Sequence, residues 1–252
     1  MSTVHNVAKA GFGIGNDLYD RARPSYQTNA IAHIRQPSAR RRLSTSSSEI
    51  GSGTGIFTRA LLAHPAFAAD VGALRAVEPS AGMRDVFTKT VADPRASIVE
   101  GAFDTTSVED GWADAIIIAQ AFHWCPDYPG GVVALIWNLE DRNRATWRHE
   151  KDTPQFRLGL WRATFTTPTY GTLFEPQEEN VWDYVLPGTR DIVVDRACSK
   201  SYIAVLTPEE RVKVVEDIDG IIQRKDGMTW MEEDKGVFEY PYQTFLVVMK
   251  KK

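Results

Sequence analysis

The chain has 252 residues, 43% of them hydrophobic and 25% charged, with a formal net charge of -4. That size buries a full core, most simply as one domain, and the mild acidity argues against a general nucleic-acid binder. The two cysteines, Cys125 and Cys198, stand outside any CxxC pair, so neither a disulfide framework nor a zinc site is expected and a reducing, cytoplasmic setting fits. No apolar run of about 18 residues is present, and the N-terminus lacks the apolar core of a secretory signal, so no membrane association is expected.

Residues 1–16, with KAGFGIGND, read as a polar, glycine-dotted lid. A helix is expected from about Gln27 to Arg35. LSTSSS, residues 43–48, precedes a run of glycines. A strand in that place is normally a continuous apolar run, so this segment predicts at most a weak first strand. Beyond it, Ile56, Phe57, Ala60, Leu61 and Leu62 recur at helical spacing and stop before Pro65. A second strand follows over 72–77. A helix is expected in AGMRDVFTKTV, with Met83, Val86, Phe87 and Thr90 on one face, and a third strand in ASIVEGAF. DGWADAIIIAQAFHW holds the most apolar strand, and GGVVALIWNLE the fifth. Strands alternating with helices indicate an α/β open sheet with ligand chemistry at the carboxyl ends of its strands. In the last third, DTPQFRLGLWRATFTTPTYGTLF reads as helical. Thr207-Pro208-Glu209-Glu210 is a helix start with cap, proline and acids in place. VFEYPYQTFLVVMK fits one or two closing strands.

The glycine run is Glu49-x-Gly51-x-Gly53-x-Gly55. Glycines admit left-handed backbone and close approach of a ligand. A nicotinamide fingerprint places its third glycine where this chain has Ile56, and a phosphate loop needs a lysine that is missing. The E-x-G-x-G-x-G spacing instead resembles the first motif of the class I S-adenosylmethionine-dependent methyltransferases. Three further segments, Tyr19-x-x-x-Arg23-Pro24-x-Tyr26, AFHW at 121–124 and the late FEYPYQTF, are similar to the small-molecule methyltransferases related to trans-aconitate methyltransferase and its fungal relatives.

The resemblance implies a Rossmann-like sheet flanked by helices, S-adenosylmethionine as cofactor, and a small organic acceptor methylated on a carboxylate oxygen. Phenols, amines and quinone precursors stay open as acceptors. The implied organisation is one domain: a lid and helix over 1–36, a cofactor-binding half over 37–140, and a substrate side with closing strands over 141–252. Glu49, Gly51, Gly53 and Gly55 would line the methionine and ribose side of the cofactor, and Glu78 would hold the ribose hydroxyls. Ala102 and Phe103 would meet the adenine. Gln120, at the end of the fourth strand, would also face the cofactor, while Tyr19 and Arg23 would cover it. Tyr26, Phe122, Trp124, Trp137 and Asn138 would line the acceptor pocket, with Trp161 and Phe165 as further candidates. His123 would position the acceptor. The implied state is a monomer or weak dimer without metal or nucleic acid.

Three segments depart from the family pattern, one of them the polar LSTSSS in the place of the first strand. Only residues 123–131 separate the expected fourth and fifth strands, whereas a parallel crossover takes a dozen or more. The crossover therefore reads as incomplete, with an antiparallel fifth strand as one outcome. A second shortening is expected in LEDRNRATWRHEKDTPQFR. These departures leave open a catalytically impaired relative that acts as a binding module.

Overall fold

The computed structural model describes residues 15–35, 46–124, 133–141, 156–225 and 227–252. Its strands are β1 (Ser46–Ile50), β2 (Ala73–Val77), β3 (Ala96–Val99), β4 (Ala115–Ala119), β5 (Val133–Glu140), β6 (Glu178–Gly188), β7 (Trp230–Glu232) and β8 (Val237–Met249). They form one sheet in the order β3-β2-β1-β4-β5-β8-β6, with β7 beside β8. The first five run parallel. β8 is antiparallel to both β5 and β6. The strand order reverses between β1 and β4, which opens a crevice at their carboxyl ends.

The helices are α1 (Asn16–Ala22), α2 (Thr28–Arg35), α3 (Ile56–Ala63), α4 (Ala81–Thr90), α5 (Pro168–Leu173), α6 (Arg190–Cys198), α7 (Ser201–Ala204) and α8 (Pro208–Arg224). On one face of the sheet, Ile31 and Ile34 of α2, Phe57 and Leu61 of α3 and Phe87 of α4 pack over Leu74, Ile117 and Ile136. On the other, Trp137 and Leu135 meet Trp161, Tyr170 and Phe174. A third cluster seats α6 and α8 on Phe238, Tyr240 and Tyr242 of β8. α8 starts as expected: Thr207 accepts from the Glu210 amide, and the Glu210 side chain accepts from the Thr207 amide. The segment expected to be helical around Trp161 is mostly 3-10 turn, Phe156–Leu158 and Leu160–Thr166, before α5.

The expectation of a weak first strand is corrected. β1 pairs along its whole length with β2 and over three residues with β4. Ser47, Ser48 and Glu49 are buried in the middle of the sheet. Two neighbouring strands satisfy its backbone, and the Ser48 hydroxyl donates to the Arg75 carbonyl at 3.2 Å. Small hydroxyl side chains with a partner are tolerated in such a place, because position rather than propensity decides a central strand.

The boundaries of the fourth strand also move. Gln120 takes φ 57 and leaves the sheet, and Phe122–Trp124 form a 3-10 turn. β4 therefore ends at Ala119, and residues 120–132 join it to β5. Ile116 pairs with Val133 and Ala119 with Ile136 in parallel register, so the antiparallel alternative is excluded. The expected crossover loss falls largely on residues 125–132, and the second shortening on 142–155. Both stretches, like residues 1–14 of the expected lid, lie outside the described residues.

Candidate active site

A cleft opens at the carboxyl ends of β1, β2 and β4. Its floor is the loop after β1. The Gly51 and Ser52 amides both donate to the Val77 carbonyl, at 2.8 and 3.2 Å, which folds the loop back over β2. Gly53 has φ 57, and a Cβ built there meets nothing within 4 Å. Its backbone is bare toward the cleft. Gly55 differs. It lies outside the cleft lining, caps α3 with φ 84, and a Cβ there would stand 2.5 Å from Val91 and 2.8 Å from Phe87. Its role is the close packing of α3 on α4.

Two acids stand over this loop. Glu78, 6% exposed, accepts from the Gly53 amide at one carboxylate oxygen and from the Ser80 amide at the other, each at 2.9 Å. Burial raises its pKa against those two hydrogen bonds and nearby Arg84. Glu49 is fully buried. Its Oε2 accepts from Thr58, while its Oε1 has no hydrogen-bond partner. Burial, reinforced by the charge of Glu78 and opposed by Thr58 and Arg59, pushes Glu49 up to about 8.

The same cleft gathers Tyr19, Arg23, Tyr26, Gly51, Ala102, Phe103, Gln120 and Trp124. Arg23 lies over the Tyr19 ring, 4.5 Å from its centroid, and donates to the Ser199 carbonyl at 3.0 Å. Tyr26 packs edge-on against Phe57, with ring centroids 5.0 Å apart. The Gln120 side chain donates to the Asn138 carbonyl at 2.6 Å and ties the ends of β4 and β5 together.

Phe122, His123, Trp137 and Asn138 lie outside the lining. Asn138 donates to the carbonyls of Pro24 and Ser25 at 3.4 and 3.1 Å and accepts from Thr244 at 2.7 Å. It anchors the RPSY segment to the sheet. Trp137 is fully buried beside Phe156 and Trp161, ring centroids 4.8 and 4.9 Å away. Trp161 also meets Phe165 and Phe122 within that aromatic cluster rather than at the cleft. Trp137 Nε1 donates to His123 Nδ1 at 3.3 Å. A neutral imidazole that accepts at Nδ1 carries its proton at Nε2. Burial, helped by the charge of Arg23, lowers the His123 pKa to about 3, so the ring stays neutral.

Sequence reasoning missed Arg196, which also lines the cleft. It sits in DIVVDRACSK on α6, in no recognisable motif, 173 positions beyond Arg23. Nothing in its neighbourhood along the chain signals a site. Ser52, Thr54 and Met83, further lining residues, were legible only as companions of the glycine loop and the helix after it.

The residues present fit S-adenosylmethionine. A buried carboxylate oxygen of Glu49 without a partner suits an ammonium group, and Glu78 stands where ribose hydroxyls can donate to it. The hydroxyls of Ser52 and Thr54 are also buried without partners. Phe103 and Met83 supply apolar surface for a flat base.

Residues 48–138 match a family model described as a methyltransferase domain. An uncharacterized methyltransferase of Mycobacterium tuberculosis is 29% identical over 230 residues, 86% of this chain and 88% of that protein. An uncharacterized methyltransferase-like protein of Schizosaccharomyces pombe is 28% identical over 198 residues, 69% of this chain and 71% of its own length. Among solved structures, a candidate type II methyltransferase from Anaeromyxobacter dehalogenans superposes with a TM-score of 0.55 at 15% identity, covering 90% of this chain and 97% of the other. With the sheet order and the glycine loop, these likenesses show that the chain has the Rossmann-like class I methyltransferase fold.

Proposed function

We propose that the protein transfers a methyl group from S-adenosylmethionine to a carboxylate oxygen of a small organic acid. The observation that carries this reading is the bare Glu49 carboxylate oxygen, buried beside Gly51 and Gly53 in the same cleft as Glu78. When bound, the cofactor supplies a methyl carbon on a sulfonium, and the electron pair of the broken C–S bond stays on sulfur as the new C–O bond forms. Glu49 would hold the ammonium end, Glu78 the ribose, and Phe103 the base. Tyr19 and Arg23 close the cleft from above and exclude water.

His123 lies behind the cleft-lining Trp124, ring centroids 5.0 Å apart, and its state favours an acid over an alcohol. With Nδ1 engaged by Trp137, the ring offers a proton at Nε2 and no lone pair for a base. A carboxylate needs a donor to hold it and no base to activate it, whereas a hydroxyl needs the reverse. Alignment of the oxygen with the methyl carbon then supplies most of the rate.

Isothermal titration with S-adenosylmethionine, followed by mass spectrometry of acceptors mixed with methyl-labelled cofactor, tests both parts. Micromolar cofactor binding and label in methyl esters are expected. A folded protein that binds no cofactor would overturn the methyltransferase reading, and label confined to amines would overturn the carboxylate. Turnover of any acceptor would exclude a role as a binding module alone.

A further inference from the structure

α1 crosses the mouth of the cleft. It lies against α4 on one side and α6 on the other. Tyr19 within it and Arg23 just after it line the cleft. None of its seven residues is buried. So short a helix is marginal in water without packing, and polar contacts therefore decide where it rests. The chain just beyond it is fixed to the sheet, because Asn138 donates to the carbonyls of Pro24 and Ser25. That anchor makes Pro24 and Ser25 the pivot for the helix before them.

Two ion pairs hold the helix on its two sides, and they are unequal. Toward α6, Arg21 Nε stands 3.6 Å from Asp195, with the two side chains 64% and 44% exposed. Such a pair contributes little. On the other side, Asp20 meets Arg59 of α3 at 2.8 Å, with the two side chains 20% and 32% exposed. Arg59 is a fork whose prongs reach different parts of the molecule. Its Nη2 donates to Asp20, while its Nη1 donates to the Thr54 carbonyl at 3.0 Å and to the Thr90 hydroxyl at 2.5 Å. The Thr90 hydroxyl in turn donates to the Thr54 carbonyl at 3.1 Å. Thr54 belongs to the glycine loop, next to the Gly53 amide that Glu78 holds. Thr54 lines the cleft, whereas Arg59 and Asp20 lie outside its lining. One rigid guanidinium thus joins the floor of the cleft to the helix over its mouth without standing in the cleft itself.

We propose that Arg59 is a positioning residue that couples the glycine loop to α1, so that a cofactor seated on the loop draws the helix closed over the cleft. The proposal rests on the methyltransferase reading. It makes closure a consequence of cofactor binding alone, with no acceptor needed. A coupling of this kind is reciprocal: the closed helix strengthens the hold on the cofactor by the same factor.

The test combines amide hydrogen exchange and titration calorimetry, with S-adenosylhomocysteine as the probe. The Tyr19 and Arg23 amides, which donate to the Gly15 and Tyr19 carbonyls, report on α1. In the parent, saturating S-adenosylhomocysteine is expected to slow their exchange at least about tenfold. Asp20→Asn should bring that slowing under about threefold and weaken S-adenosylhomocysteine about fivefold. Asp20→Glu keeps the carboxylate and should restore both. Arg21→Gln, which cuts the exposed pair, should leave both within about twofold of the parent. Arg59→Met also removes a charge that bears on Glu49, so the Asp20 variants carry the decision. Adding Asp20→Asn to Arg59→Met should weaken binding no further. The Arg59 amide, which donates to the Gly55 carbonyl within α3, should keep parental protection in the ligand-free Asp20 variants and so show an intact fold. A parent whose α1 exchange ignores the ligand would overturn the proposal. So would an Asp20→Asn protein with parental slowing and affinity, which would confine Arg59 to supporting the loop. Equal losses in Arg21→Gln and Asp20→Asn would overturn it too, since α1 would then be held by its charges at large. A parent that gives no binding heat with S-adenosylhomocysteine would sink the methyltransferase reading itself, a result told apart by needing no variant.

Discussion

The two ends of the cleft are electrostatic opposites. At the β1–β2 end Glu49 and Glu78 are both buried, and among the described residues neither side chain is bonded to a cation. At the β5 end Arg23, Arg196 and Lys200 converge on Glu140. Burying charge without a full set of partners costs stability, and this fold does so twice with opposite sign. The acidic end raises the pKa of its carboxylates, so it gains most from a cation. The basic end holds its carboxylate ionised and still has donors to spare at Arg196 Nη1 and Arg23 Nε, so it gains most from an anion. A ligand pair with positive charge near the sheet centre and negative charge toward β5 relieves both.

The acidic end breaks most completely through Glu78. One of its oxygens holds the Gly53 amide of the glycine loop and the other the Ser80 amide at the start of α4, so on the proposed function Glu78→Ala removes the ribose ligand and loosens Gly53 together. Charge-assisted hydrogen bonds contribute about 1.5–3 kcal/mol each, and S-adenosylhomocysteine affinity is expected to fall at least about a hundredfold by titration calorimetry. A loss under about threefold would remove Glu78 from the cofactor site.

Glu49 sharpens the comparison through pH. Its folded pKa is raised from 4.5 to about 8. Below pH 4.5 the carboxyl is protonated in both states and its contribution to stability is fully present. Between 4.5 and about 8 the unfolded chain releases the proton while the folded protein keeps it, so stability falls as pH rises. Glu49→Gln removes that slope. At pH 8 to 9 the ligand-free variant is expected to be more stable than the parent by a few kcal/mol, since each tenfold difference in proton affinity between the two states is worth about 1.4 kcal/mol. Its cofactor affinity should nonetheless be weaker. Denaturant titration at pH 5.5 and 8.5 checks the first point; equal slopes for parent and variant would show that Glu49 is not a buried acid in need of a cation.

These two acids were legible because their signal is local: a glycine spacing within seven residues, and an acid at the end of a strand. The parallel direction of the first four strands followed from the same alternation of strand and helix, while that of the fifth was left open and is parallel in the structure. β1 was underestimated because its serines carry no apolar signal, while its stability comes from strands far along the chain. Apart from Arg23, the basic end was illegible for a similar reason. Arg23, Glu140 and the pair Arg196 and Lys200 come from three segments, and no spacing along the chain announces that β5, the α6 region and the segment after α1 meet. Trp137 and Asn138 were placed in the right neighbourhood and given the wrong neighbours, since a strand's period says which side faces the core but not which loop returns to cover it.

Gly55 offers a smaller effect that separates fold from ligand. Its Cβ would press on Val91 and Phe87 in a backbone conformation that disfavours side chains. Gly55→Ala is expected to cost about 1–3 kcal/mol, read as a lower thermal midpoint. Cofactor affinity, measured below the transition, should change little, because Gly55 lies outside the cleft lining. A variant as stable as the parent but unable to bind S-adenosylhomocysteine would move Gly55 back into the site.

The smallest expected effect is at His123, and it decides the acceptor class. The ring accepts from Trp137 at Nδ1 and is held neutral by burial and by Arg23, with a pKa of about 3. Between pH 7 and 9 it therefore has no proton to gain, and a carboxylic acid in that range has none left to lose. Asparagine keeps an oxygen to accept from the indole and an amide to donate to the acceptor. His123→Asn is expected to reduce turnover at saturating cofactor by at most about tenfold, roughly 1.4 kcal/mol of transition-state stabilisation. Rates of parent and variant should both stay flat over that pH range. An alcohol or phenol acceptor requires the opposite: a parental rate that climbs with pH, and a loss of about 10²–10⁴-fold on removing the base. For that the Trp137 bond would have to break, so that Nδ1 could carry the proton and Nε2 accept one. A steep parental profile that flattens in His123→Asn would show that the bond does break during turnover, and would move the acceptor from acids to hydroxyl compounds.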